Sequence, residues 1–225
     1  MTYTTSRIRV DTKYLLQHGT GYCGNMLKHV QPWHQQYCNK HNLAYVPLVG
    51  HIPTRNVGRK PRPQEWQKPQ LLVNWLRQTS EGDVIAYVDP DAVVINPTVN
   101  IIDILPPDKD IAIAPSFYAG KTRYNAGVLI MRNNCRTLDL WNTINEMGPG
   151  ISNYAHDEGR LNRLIWDGHP VKVYDLPGEY NAFRYTKFVP ENVVIKAWHG
   201  EPRDTVDRRV KETVWQLYEQ QHSQV

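Results

Sequence analysis

Two carboxylates stand two residues apart at the end of an apolar run: Asp89 and Asp91, separated by Pro90, follow Val84-Ile85-Ala86-Tyr87-Val88. Carboxylates held close repel each other unless a cation lies between them, so a divalent metal is their natural occupant. Residues two apart in an extended chain project to the same side. The run before them is short, β-branched and aromatic, the composition of a buried strand. Pro90 has no N–H to give to a ladder, so pairing stops there. The pair is therefore expected at the carboxyl end of a core strand, where open α/β sheets take their ligands. Aspartate is also a common turn residue, and spacing alone does not separate the two readings.

Further chemistry-bearing residues lie downstream. His199 follows the apolar run Val193–Trp198 and precedes Gly200. A histidine near a strand end is commonly structural, but it could complete an oxygen-rich site with one nitrogen. A mixed carboxylate and imidazole set suits Mn²⁺ better than Mg²⁺. Asp157 and Glu158 open an expected helix over His156–Trp166. Acids there complement the helix dipole. They are also the candidate carboxylates for chemistry if that helix start faces a cleft. Lys68, Lys121, Arg123 and Arg203 flank expected strand ends. Most such cations are merely solvated, yet they are the candidates for phosphate.

Gly19-Thr20-Gly21-Tyr22-Cys23-Gly24 matches a GxGxxG pattern. A dinucleotide site needs a strand running into the first glycine and an acid about 20 residues later. The first strand reads as Arg7–Asp11 with a loop through Gly24, and no acid falls between Thr12 and Gln64. The segment reads as a flexible glycine loop, or one bordering a nucleotide or sugar pocket.

The positioning elements alternate. Helices are expected at Asn25–His41, with Asn25 as cap and Pro32 kinking it or moving its start, and at Trp66–Gln78, Leu138–Met147, His156–Trp166 and Thr205–Gln221. Strands are expected at Ala44–Val49, Val84–Val88, Ile111–Ala114, Val128–Met131, Val171–Tyr174 and Val193–Ala197. The segment His51–Gln64, rich in Pro, Gly and Arg, reads as a mobile loop that could close over a ligand. Such alternation implies an α/β fold with a mostly parallel sheet covered on both faces.

The 225 residues, 40% hydrophobic and 21% charged, suffice for one α/β domain with a full core. The net charge of +4 is mild, but the acid-free stretch from Thr12 to Gln64 holds several cations, so one end should attract anions such as a diphosphate. No nucleic-acid-binding signature is present. Three cysteines without a CxxC spacing point to a reducing compartment. No run approaches a membrane span and no signal pattern opens the chain, so a soluble, cytoplasmic protein is expected.

Several segments occur in an order that carries a resemblance: Trp66-Gln67-Lys68, the Asp89-x-Asp91 strand, Tyr124-Asn125-Ala126-Gly127-Val128-Leu129-Ile130-Met131-Arg132-Asn133, Asp157-Glu158 and His199-Gly200. Together they resemble the glycosyltransferase family of fungal α-galactosyl- and α-mannosyltransferases and plant xyloglucan xylosyltransferases. The resemblance implies a single GT-A domain over residues 1–225, with a nucleotide-binding half of about 1–97, an acceptor-binding half of about 98–204 and a closing helix at 205–221. It implies a nucleotide-diphosphate sugar donor, UDP being the usual base carrier, a glycan or glycoprotein acceptor, and Mn²⁺ or Mg²⁺. Asp89, Asp91 and His199 look like the metal ligands. Lys68, Arg203 and Asp11 join Asp89 and Asp91 on the cofactor side. Asn125, Ala126 and Gly127, with His199 and Gly200, look like the sugar-lining residues, and Asp157 and Glu158 like the acidic pair beside the reacting carbon. Glu158 departs from the family's usual glutamine, which leaves the stereochemistry open. The missing anchor and short chain look like a compact microbial or viral version. Two rivals stand beside this: a phosphotransferase of the haloacid-dehalogenase kind, which also sets Asp-x-Asp after a strand, and a non-catalytic nucleotide-sugar binding protein.

Overall fold

The computed structural model describes residues 12–53, 66–118, 121–148, 157–199 and 201–223. The organising strand lies where its composition puts it: β3, Val84–Val88, is buried at every position. Its side chains alternate. Val84, Ala86 and Val88 enter one half of the core, and Ile85 and Tyr87 the other, as a period of two requires. In chain order the flanking elements are β1 (Lys13–Gly19), α1 (Tyr22–His41), β2 (Ala44–Val49), α2 (Gln67–Gln78), β3, β4 (Ala92–Val94), β5 (Ile111–Tyr118), β6 (Lys121–Arg132), α3 (Cys135–Met147), α4 (Asp157–Trp166), β7 (Val173–Asp175), β8 (Ile195–Ala197) and α5 (Arg203–His222).

The main sheet has the order β2-β1-β3-β6-β5-β7. β6 runs against both of its neighbours, while the other pairings are parallel. The expected mostly parallel sheet is thus present, with one reversed strand. On one face α1 packs Tyr37 and Cys38 onto Leu15, Ala86 and Ala112. On the other, α2, α3 and α4 bring Leu72, Trp141 and Leu161 onto Leu16, Ile85 and Leu129. β4 and β8 form a separate antiparallel pair. α5 lies outside it, with Val206, Val210, Val214 and Leu217 buried against Met26, Val30, Trp33 and Val93. No helix among the described residues is long and apolar enough to cross a membrane, and none of Cys23, Cys38 and Cys135 forms a disulfide.

Three expectations need correction. The strand before the glycine turn is Lys13–Gly19, and the expected strand Arg7–Asp11 lies outside the described residues. Helix α1 begins at Tyr22, so Asn25 does not cap it, and Pro32 lies within it. Pro32 is on the exposed side, as is Lys28 four residues earlier, whose carbonyl the proline leaves without a helical donor. Water can satisfy that carbonyl. Finally, Asn125-Ala126-Gly127 does not precede the strand expected at Val128–Met131. It lies inside the continuous strand β6, where the pairing with β5 jumps from Ile113↔Leu129 to Ala114↔Asn125. Extra residues on one strand bend it and re-aim its side chains, here toward the end of β3.

Candidate active site

Most of the described candidate residues gather at the carboxyl end of β3. The Asp89 N–H donates to the Gly127 carbonyl (2.8 Å) and the Ala92 N–H to the Asp89 carbonyl (3.0 Å), closing a tight turn around Pro90. That turn leads into β4. Trp33 Nε1 donates to the Val94 carbonyl (2.6 Å), and the Val94 N–H donates to His34 Nε2 (3.0 Å), so α1 clamps the far end of β4. β8 pairs with β4 through Ala92↔Ala197. That register delivers His199, two residues past the strand end, beside Asp91.

Asp91 Oδ2 lies 3.0 Å from His199 Nδ1. The opposite atoms of both groups, Asp91 Oδ1 and His199 Nε2, are buried without a hydrogen-bond partner. One ligand atom from each of Asp89, Asp91 and His199 falls within 4.8 Å of the others. Burial opposes the imidazolium, but Asp91 outweighs it and raises the His199 pKa. Burial would likewise raise Asp91, but His199 outweighs it and holds the carboxyl low. Asp89 is raised by burial and by the neighbouring Asp91, against the pull of Lys68. Gly127 makes the arrangement possible: a Cβ there would lie 2.0 Å from His199 Nε2.

Lys68 reaches up from the first turn of α2. Its ammonium is 3.3 Å from both Asp89 and Asp157 and donates to the Ala126 carbonyl at 3.1 Å. Burial works against its charge, but Asp157 and Asp89 outweigh that and raise its pKa. It is therefore an internal counter-ion for two acids rather than a lysine open to solvent. Tyr87 donates to Asp89 Oδ1 (2.9 Å).

Glu158 sits on the cleft side of α4. One of its oxygens accepts from Asn125 Nδ2 (2.9 Å) and the Ala126 N–H (3.4 Å), and burial raises its pKa. Asn125 in turn accepts from the Gly127 N–H (3.0 Å) and from Asn181 Nδ2 (2.8 Å). Asn162, one turn after Glu158, accepts from the Tyr124 N–H (2.7 Å) and donates to the Tyr124 carbonyl (2.8 Å), clipping α4 to β6.

These residues line a cleft of about 850 Å³. Its other end is formed by His18, Gly19, Thr20, Tyr22, Trp198 and Arg203. The structure thus brings together Asp89, Asp91, His199, Lys68, Asp157, Glu158, Asn125, Ala126, Gly127, Arg123 and Arg203 around one cavity. Asp11, Gly200, the Lys121 side chain and most of His51–Gln64 lie outside the described residues.

The glycine turn was underread. β1 runs directly into Gly19, meeting the strand requirement that the sequence seemed to fail. A Cβ on Gly19 would lie 2.5 Å from the Cys23 carbonyl, Gly21 has φ +55°, and a Cβ on Gly24 would press on Gly19 and Val49. The three glycines therefore serve a tight turn, a left-handed backbone and close helix–strand packing. The acid expected about 20 residues on is still missing from the sequence. His18 and Tyr22 on the same turn were also missed. His18 bonds the Gly50 carbonyl (2.9 Å), and burial lowers its pKa. The Tyr22 hydroxyl contacts the Arg203 carbonyl and accepts from the Asp207 N–H (3.1 Å), joining α1 to α5 at the cleft rim.

Comparison with known proteins places this geometry. No family model and no curated protein matches the sequence. Solved structures do match by shape. A glycosyltransferase involved in the glycosylation of the major capsid of PBCV-1 superposes with a TM-score of 0.68 at 12% identity, covering 89% of this chain and 99% of that one. The galactosyltransferase LgtC, in complex with donor and acceptor sugar analogues, gives 0.56 at 13% identity, covering 91% and 96%. A Drosophila β1,4-galactosyltransferase 7 mutant, in complex with manganese, UDP-Gal and xylobiose, gives 0.51 at 13% identity, covering 86% and 73%. The chain has the GT-A fold.

Proposed function

We propose that this protein is a metal-dependent glycosyltransferase that moves a hexose-type sugar from a nucleotide-diphosphate sugar, with UDP as the expected nucleotide, to a hydroxyl of a glycan acceptor. The observation that carries this reading is the convergence of Asp89, Asp91 and His199 at the end of β3, with Asp91 Oδ1 and His199 Nε2 buried and unpartnered. Buried polar atoms ordinarily find partners. Two carboxylate oxygens and an imidazole nitrogen fit Mn²⁺, and Asp89, Asp91 and His199 would hold it within a cleft of about 850 Å³. A metal bound there supplies a Lewis acid for charge developing on the leaving diphosphate. The GT-A fold takes support away from the haloacid-dehalogenase rival.

The chain's own groups divide the remaining work. Arg203, at the cleft rim, adds positive charge on the donor side. Lys68 holds Asp89 and Asp157 in place through its two ion pairs. Asp157 is engaged by that lysine, whereas Glu158 is held through one oxygen by Asn125 and Ala126. A carboxylate whose pKa is raised by burial is a better proton acceptor at neutral pH. Glu158 therefore takes the acceptor hydroxyl's proton or stabilises the electron-poor anomeric carbon, and Asp157 balances Lys68 beside it. Asn125 orients Glu158, and Gly127 leaves room for His199.

A thermal-shift screen of UDP- and GDP-sugars, with and without Mn²⁺, tests this. Ligand at a hundredfold excess over Kd stabilises by about 2.7 kcal/mol. A UDP-sugar should raise the melting temperature only when Mn²⁺ is present, and release of UDP should follow. No shift, or an equal shift without metal, contradicts the reading. A metal-dependent shift with no turnover against any acceptor identifies the non-catalytic binding protein instead.

A further inference from the structure

The cleft does not end at Glu158. Helix α4 carries Glu158, Asn162 and Trp166 at successive spacings of four, on one side of the helix, and all three line the cavity. Trp166 is 57% exposed. Of the seven tryptophans in the chain, Trp33, Trp66, Trp141 and Trp198 are buried and Trp75 is half-buried. Only Trp166 and Trp215 are exposed, and Trp215 is not on the cleft. A single exposed aromatic on a surface needs no explanation. Trp166 differs because it shares the α4 wall of the cleft with Glu158 and Asn162.

That wall is rigid. Asn162 spends its side chain on Tyr124 and on the Glu158 carbonyl (2.8 Å), so the middle of the seam between α4 and β6 is fastened. Beyond Trp166 the helix closes in an ordered turn, with the Asp167 N–H on the Arg163 carbonyl (2.8 Å) and the His169 N–H on the Leu164 carbonyl (2.9 Å). The distance from Glu158 to Trp166 is thus set by helical rise, about 12 Å for eight residues. One sugar ring does not span it. Arg123 of β6 lines the same cleft.

We infer that the α4–β6 seam is an extended acceptor groove, in which a sugar ring remote from the receiving hydroxyl stacks on Trp166, so that the preferred acceptor is an oligosaccharide rather than a monosaccharide. The faces of pyranose rings present C–H groups, which suit the electron-rich face of an indole, while hydroxyls at the ring edge reach polar partners such as Arg123. The inference rests on the glycosyltransferase reading and adds to it the length of the acceptor.

The test uses the full chain with UDP and MnCl₂ on an array of immobilised linear oligosaccharides of one to four sugars. Wild type should retain the longer members of a recognised series at least tenfold more strongly than the monosaccharide. Trp166→Ala should lose that preference, Trp166→Phe should keep most of it, and Trp215→Ala should keep all of it. The thermal shift from UDP and Mn²⁺ should be equal in all four proteins. The groove is overturned if nothing is retained, if length makes no difference, or if the preference survives Trp166→Ala or is lost equally in Trp215→Ala. A length preference without any UDP and Mn²⁺ shift would sink the transferase reading and, with it, the groove's role as an acceptor site, leaving only oligosaccharide binding at Trp166. The shift without a length preference would sink the groove alone.

Discussion

The two ends of the sheet treat their aspartates in opposite ways. At the amino end, Asp83 precedes β3 and Asp110 precedes β5, and both are 2% exposed. Asp83 accepts the Thr12 and Ser80 N–H groups at 2.9 and 2.8 Å. Asp110 takes two bonds from Arg136, both at 2.6 Å, one from Asn134 (2.8 Å) and one from the Lys172 N–H (2.8 Å). At the carboxyl end, Asp89 and Asp91 face each other with one lysine, one tyrosine and one histidine between them, and Asp91 Oδ1 has no bond. Acids at the first end are saturated by the fold and serve as joints. Acids at the second end are arranged with capacity left over, and the proposed metal site rests on that surplus.

The comparison breaks most visibly in activity. Asp89→Ala should cut metal-dependent transfer by roughly a hundredfold or more while moving the melting temperature by at most a few degrees, as read from product formation and calorimetry. Retained activity would remove the metal assignment. Gly127→Ala acts on the same end through space. Its Cβ would occupy the place of His199 Nε2, so His199 must swing away. We expect Mn²⁺ affinity to fall by about tenfold or more, checked by metal titration, with the fold intact by circular dichroism.

The converse variant is Asp110→Asn. It removes a buried carboxylate and leaves its donors short of partners, which should cost about 2 kcal/mol and several degrees of melting temperature. Activity per folded molecule should be unchanged. A smaller effect of the same residue is its pH signature. Burial would raise the Asp110 pKa, but Arg136, the Lys172 N–H and Asn134 outweigh it and hold the carboxyl below its ordinary value. In acid the unfolded chain therefore takes up this proton first, so stability rises with pH there. The contribution is complete above about pH 4, the unfolded value, and fades as pH falls through the folded one. Wild type should lose stability more steeply than Asp110→Asn below that point in urea titrations across pH. Parallel curves would show that Asp110 is not the joint it looks like.

Much of this was legible in the sequence, for reasons that differ by element. β3, α2 and α5 announce themselves because their buried residues are apolar at the right period. Asp89, Asp91 and His199 were legible because each sits at the end of an apolar run. β1 was not legible, because Lys13-Tyr14-Leu15-Leu16-Gln17-His18-Gly19 contains a wholly buried glutamine. Gln17 is tolerated only because Tyr45 donates to it at 2.8 Å and His34 meets it at 2.7 Å. His34 is itself fully enclosed, with burial taking its pKa down to about 3. Such a network spans three elements and leaves no local signal. The start of α1 was hidden likewise, since Gly21 at φ +55° replaces a side-chain cap. The role of Asn125-Ala126-Gly127 was legible in outline, yet its place within a strand depends on a register jump against β5 that no local pattern encodes.

The carboxyl end of β3 is proposed to hold a divalent metal, and the amino end is not. That proposal is tested most directly by titrating Mn²⁺ into wild type, Asp89→Ala and Asp110→Asn, following free Mn²⁺ by electron paramagnetic resonance with UDP present. One site per chain in wild type and Asp110→Asn, and none in Asp89→Ala, is the predicted result. Equal Mn²⁺ uptake by wild type and Asp89→Ala would contradict it.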